Sequence, residues 1–267
     1  MSLIVTLIGA AAVLLGLAYI GQSRLIFFPQ PLWGEPRLSE QMEEIRHTSA
    51  DGTRLHGWLV KARASRAPLL IYYGGNAEEV SWMLAAAARF PGWSLLLMNY
   101  RGYGLSEGKP GEAALLSDAL ELYDAAAARP DVDPRRIALM GRSLGSGVAV
   151  HVAVQRPVRG VVLVSPYDSL AALARRHYPF LPAASLLRHR FDSLALAPRV
   201  SAPLTCIVAA RDAIIPVEHS RRLYEAWAGP RRWHEIAGAG HNDLSERPEY
   251  WEAIARFLQE LAPEAAQ

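Results

Sequence analysis

A chain of 267 residues with 51% hydrophobic content can bury one large core and is not obliged to split into two domains. Its 28 basic and 26 acidic residues leave a net charge of +2, too even a balance for a nucleic-acid surface. Cys206 is the single cysteine, so no intramolecular disulfide can form, and the apolar run around it marks an inert core thiol.

The first element in chain order is a charge-free run from Leu3 to Gly21, long enough as a helix to span a bilayer core. No basic segment precedes it and no small-x-small cleavage site closes it before Gln22, which argues against a cleaved signal peptide. The run also lacks the polar face of a buried soluble helix. The expectation is therefore a single-pass transmembrane anchor over residues 1–23 and a membrane localisation. Because Arg24, Arg37 and Arg46 follow the span, the positive-inside bias puts the catalytic domain in the cytoplasm. Residues 24–44 read as a proline-punctuated connector, with Leu25, Ile26, Phe27 and Phe28 at the membrane interface or on the domain.

Residues 45–265 form the remaining unit. Strands at 44–48 and 53–60 flank the turn Asp51-Gly52 and read as an antiparallel hairpin. Apolar strands at 69–73, 93–99, 136–140, 160–164, 203–209 and 233–236 then alternate with helices at 78–89, 112–129, 144–155, 217–227 and 248–261. That alternation predicts an α/β fold, a mostly parallel sheet with helices on both faces. In such sheets functional groups collect at the carboxyl ends of the strands. Between residues 166 and 202 the alternation lapses in a stretch rich in apolar residues, read as a lid over the site or as an ordinary scaffold helix and loop.

Gly141-Arg142-Ser143-Leu144-Gly145 sits between a strand and a helix. This is the setting of a nucleophile elbow, in which a strained turn lifts a serine above the sheet edge and the glycines remove colliding Cβ atoms. A serine needs a base, an acid that orients the base, and an oxyanion hole. His241, in Gly240-His241-Asn242 after the last strand, is the candidate base. The other seven histidines fall in strands, helices or the 166–202 stretch and read as packing or surface residues. Asp212, directly after the strand ending near Ala209, is the candidate acid; Asp168 is second in line and could instead cap the following helix. Leu144 N–H, immediately after the serine, and an N–H of the Gly74-Gly75-Asn76 loop, Asn76 ahead of Gly75, are the candidate oxyanion donors. The run from Gly102 to Lys109 fits neither a P-loop nor a dinucleotide fingerprint, and without a His-Glu-x-x-His or a cysteine pair neither a metal nor another cofactor is indicated.

Together the elbow, the Gly74-Gly75-Asn76 loop, the run from Asn99 to Gly108, Ser165-Pro166-Tyr167-Asp168-Ser169-Leu170, Asp212 and Gly240-His241 resemble the alpha/beta-hydrolase superfamily. With the N-terminal run leading into Leu25-Ile26-Phe27-Phe28-Pro29, they are similar to a membrane-anchored branch that includes protein depalmitoylases and uncharacterised bacterial members. One departure is Gly74, where relatives often carry histidine. The resemblance implies an alpha/beta-hydrolase fold and a Ser-Asp-His triad. The expected function is a serine hydrolase of carboxylic esters or thioesters that works through an acyl-enzyme on a substrate that could be lipid-like. The alternatives are a peptidase or acyltransferase on the same triad, or a non-enzymatic anchored scaffold.

Overall fold

The computed structural model describes residues 2–179 and 186–262. Eight strands form one sheet: β1 (Met42–Thr48), β2 (Arg54–Val60), β3 (Ala67–Tyr73), β4 (Ser94–Met98), β5 (Val132–Arg142), β6 (Gly160–Val164), β7 (Leu204–Ala209) and β8 (Arg231–Ile236). Their spatial order is β1-β2-β4-β3-β5-β6-β7-β8. β2 runs antiparallel to both β1 and β4, and from β4 to β8 every pairing is parallel. The edge strand β1 is only partly covered, whereas every residue of β3, β4, β6 and β7 is buried. Continuous apolar runs are what a sheet covered on both faces requires.

Successive strand residues serve opposite cores. Leu69, Ile71, Leu139, Val161, Leu163 and Cys206 pack with helices α2 (Glu112–Ala127) and α3 (Leu144–Gln155) and with the helix Val217–Ala226. Leu70, Tyr72, Met140, Val162, Val164 and Ile207 pack instead with the 3-10 turns Val80–Arg89 and the closing helix Pro248–Leu261. Burial pushes the Cys206 thiol well above its ordinary range, which fits an unreactive core residue. The β1–β2 connection turns through Gly52 at φ 85°, and the Asp51 side chain accepts from Thr53 N–H at 3.0 Å.

The N-terminal run is a helix, α1 (Ser2–Ile26). Among the described residues, however, no helix is long and apolar enough to cross a membrane. This overturns the transmembrane anchor over residues 1–23, the membrane localisation, and the cytoplasmic orientation that depended on it. That expectation rests on length, absence of charge, the lack of a polar face and the missing signal-peptide features, and none of these registers how the C-terminal end of the helix is held by the domain. The Arg188 guanidinium lies 5.9 Å from the Tyr19 ring centroid. Gln22 is buried, accepting from Arg188 N–H at 2.7 Å and donating to Leu186 O at 3.3 Å. Ser23 Oγ meets His189 Nε2 at 2.8 Å, and Phe27 is 1% exposed, edge-on to His189 and Phe191. The helix also continues to Ile26, three residues into the expected connector.

Within 166–202, Ser169 caps α4 (Leu170–His177) by accepting from Ala172 N–H at 3.1 Å. Residues 180–185 of the expected lid, like the end of the chain from residue 263, lie outside the described residues. The return segment packs inward, Phe191 lying against Gly147 of α3.

Candidate active site

Ser143 follows the last residue of β5 and caps α3 with φ 50° and ψ −117°. A non-glycine residue there is strained by about 1–3 kcal/mol, and the surroundings hold it in place. Ser143 N–H donates to Val164 O at 2.9 Å, and Ser146 Oγ donates to Ser143 O at 2.6 Å. The flanking glycines are obligatory. A Cβ on Gly141 would come within 2.4 Å of Gly145 O, and one on Gly145 within 2.1 Å of Tyr73 O. Glycine thus lets α3 cross β3 and β5 at backbone contact.

The loops after β7 and β8 bring Asp212 and His241 to this serine. His241 Nε2 lies 3.0 Å from Ser143 Oγ, and His241 Nδ1 lies 2.8 Å from Asp212 Oδ2. The other carboxylate oxygen accepts from Ile214 N–H at 3.0 Å and Ile215 N–H at 2.7 Å. Because a carboxylate can only accept, it fixes the proton on Nδ1 and leaves Nε2 to accept from the serine hydroxyl. Burial opposes the Asp212 charge, but the hydrogen bond and charge of His241 with the Ile215 N–H outweigh it and hold the carboxyl below its ordinary range. An imidazole so oriented can withdraw the serine proton, and an ionised carboxylate behind it can stabilise the imidazolium. Asp168 does not join this chain; it is buried in a separate cluster, 2.8 Å from both His219 Nδ1 and Arg222 Nε.

Leu144 N–H is the first amide of α3 and has no partner within the helix. The loop after β3 faces the elbow: a Cβ on Gly75 would sit 3.5 Å from Ser143 Cβ. Its two candidate donors differ. Gly75 N–H is committed to Glu78 Oε2 at 2.7 Å and is not free for an oxyanion. Asn76 N–H forms no hydrogen bond among the described residues, while the Asn76 side chain is held on all sides. Its Nδ2 donates to Ile26 O at 2.6 Å, and its Oδ1 accepts from Phe28 N–H at 3.0 Å and Tyr103 Oη at 2.8 Å. The end of α1 thus reaches the loop that faces the serine. Glu78, Arg142 and Tyr103 were missed in the sequence. The only signal for Glu78 was a carboxylate three residues beyond Gly75, and Arg142 occupies the unrestricted second position of the elbow motif.

A sheet of this order, with a strained serine where its fifth strand meets a helix, defines an alpha/beta-hydrolase fold. Residues 64–196 match the family described as serine aminopeptidase, S33. An uncharacterized protein of Mycobacterium tuberculosis H37Rv, Rv2307c, is 39% identical over 248 residues, covering 90% of this chain and 88% of that protein. The uncharacterized protein YfhR of Escherichia coli O157:H7 is 31% identical over 229 residues, covering 81% of this chain and 80% of that one. Among solved structures, an acetyl xylan esterase from Paenibacillus sp. R4 shares the fold with a TM-score of 0.68 at 22% identity, over 91% of this chain and 92% of that one. The chain belongs to the alpha/beta-hydrolase superfamily and is a hydrolase.

Proposed function

We propose that the protein is a serine hydrolase that cleaves carboxylic ester or thioester bonds through Ser143, His241 and Asp212. The observation that carries this reading is the unbroken hydrogen-bond chain from Asp212 Oδ2 through both nitrogens of His241 to the hydroxyl of a serine in a strained turn. His241 Nε2 takes the Ser143 proton as Oγ attacks the carbonyl carbon. The negative charge that forms on the carbonyl oxygen falls to the Leu144 and Asn76 N–H groups. Collapse expels the alcohol or thiol, which leaves with the proton held by His241, and the acyl group remains on Ser143. Water then attacks the acyl carbon while His241 removes its proton; the second collapse frees the carboxylic acid and restores the serine hydroxyl.

The description of the matching family as a serine aminopeptidase raises a peptide reading. An aminopeptidase needs a carboxylate to receive the ammonium group of its substrate. Among the described residues, the carboxylates that bond Arg142, His241 and Gly240 are already engaged. Asp212 binds His241, Glu78 pairs with Arg142 at 2.8 Å, and Asp243 accepts from Gly240 N–H and pairs with Arg247 at 2.9 Å. That favours an ester or thioester, in keeping with the acetyl xylan esterase that shares the fold. Hydrolysis of p-nitrophenyl acetate and of an acyl thioester by the purified protein tests the reading. Ser143→Ala is expected to lower the rate by about a hundredfold or more; a variant as fast as the wild type would overturn it.

A further inference from the structure

We propose that the buried Glu78–Arg142 ion pair is a positioning unit, holding the oxyanion loop, the nucleophile and the base in one arrangement; this rests on Ser143 being the nucleophile. The Glu78 carboxylate is saturated. One oxygen accepts from Tyr72 Oη and from Trp82 Nε1 at 2.8 Å; the other accepts from Gly75 N–H at 2.7 Å and from Arg142 Nη1 at 2.8 Å. The second arm of Arg142, Nη2, points to His241 O at 3.4 Å. Glu78 and Arg142 expose only 7% and 16% of their side chains. Burial works against the Arg142 charge, yet the Glu78 carboxylate and neighbouring groups raise its pKa above the ordinary value, so the guanidinium stays charged.

The strand order explains why such a unit is needed. Gly75 follows β3 and Arg142 ends β5, and these strands are neighbours; His241 follows β8, separated from β5 by β6 and β7. No direct pairing between β5 and β8 therefore sets the height of the imidazole over the elbow; the ladder reaches it only through two intervening strands. The Arg142 side chain spans that gap from the residue before the nucleophile, and Glu78 extends the same connection to the loop carrying Asn76. A buried ion pair is poor evidence for stability, since an apolar pair of equal volume does as well. What an apolar pair cannot supply is a fork of directed N–H groups, one arm on a carboxylate and the other on a carbonyl.

The full-length chain is assayed on p-nitrophenyl acetate as wild type, Glu78→Gln, Arg142→Met and Arg142→Lys, with unfolding followed on each sample. The expected result is a fall in kcat of about tenfold or more for Glu78→Gln and Arg142→Met with KM within about twofold of wild type. Arg142→Lys, whose single ammonium reaches Glu78 but lacks the fork, is expected to recover part of the loss. Should Arg142→Met fail to fold, Glu78→Gln and Arg142→Lys carry the test. Wild-type kcat in those two variants would overturn the proposal, as would a raised KM at unchanged kcat. A wild-type chain with no esterase activity and no labelling by a fluorophosphonate would instead defeat the reading of Ser143, and the proposal with it.

Discussion

At the scale of single residues, the elbow works because two positions carry no side chain and a third accepts strain. Gly145 illustrates the demand, because the atom its Cβ would strike is the Tyr73 carbonyl at the carboxyl end of β3. Gly145→Ala is therefore expected to lose about 3 kcal/mol or more of stability, the upper part of the overpacking range, read as a lowered urea midpoint at unchanged slope. Wild-type stability would mean that α3 can shift away from β3 freely. Much of this residue-level arrangement was legible in the sequence. The Gly-x-Ser-x-Gly spacing, an aspartate after the penultimate strand and a Gly-His after the last strand mark positions by chain order, and the structure brings His241 within hydrogen-bond reach of both Ser143 and Asp212. Chain order says nothing about which of two adjacent amides is free. The sequence reading places Asn76 ahead of Gly75, and the physical ground for that order is seen only in the structure, where Glu78 folds back onto the Gly75 N–H.

At the scale of elements, α1 shows how a sequence pattern can be right about local structure and wrong about its setting. The uncharged run does form a helix, but its last turns are an integral part of the domain, fixed through Gln22, Ser23 and Phe27 to the segment 186–191 and through Ile26 to Asn76. Those contacts link residues at least 50 positions apart, a separation that periodicity cannot register. Phe27 is the apolar anchor of this docking, buried among Tyr100, Tyr103, Phe191 and their neighbours in the core on the α2–α3 face. Phe27→Ala is expected to destabilise the fold by about 3–5 kcal/mol, measured by denaturant unfolding. A loss below about 1 kcal/mol would show that the helix end rests on the domain without contributing to it.

At the scale of the whole molecule, the order of strands and helices was readable because each apolar run announces a covered strand. The element ends were less accessible. β5 begins at Val132, earlier than the apolar run at 136–140, because Ala67 pairs with Val132 across a register shift, a tertiary contact without a local signature. Another long-range link ties the hairpin to the helical layer. Arg101 pairs with Asp118 of α2, Nε to Oδ2 at 2.6 Å, and with Asp51 of the β1–β2 turn, while Ser49 Oγ donates to Asp118 at 2.7 Å. The Arg101 hydrogen bond lowers the Asp51 carboxyl to about 2. A carboxyl whose folded pKa lies below its unfolded value of about 4 stabilises the fold above that value and loses the contribution as pH falls toward the folded pKa. Thermal unfolding between pH 4 and pH 2 is therefore expected to fall less steeply in Asp51→Asn than in wild type; identical slopes would show that the link contributes nothing. The effect is modest because the Asp51 side chain is 55% exposed.

All three scales bear on the proposal that the Ser143 hydroxyl is made nucleophilic by His241 and Asp212. The most direct measurement is the site and extent of reaction with a fluorophosphonate, read by mass spectrometry of the intact chain and its peptides. The account predicts one adduct per chain, carried on Ser143 and lost in His241→Ala. An unmodified Ser143 under conditions that label a known serine esterase, or an adduct formed equally fast without His241, would contradict it.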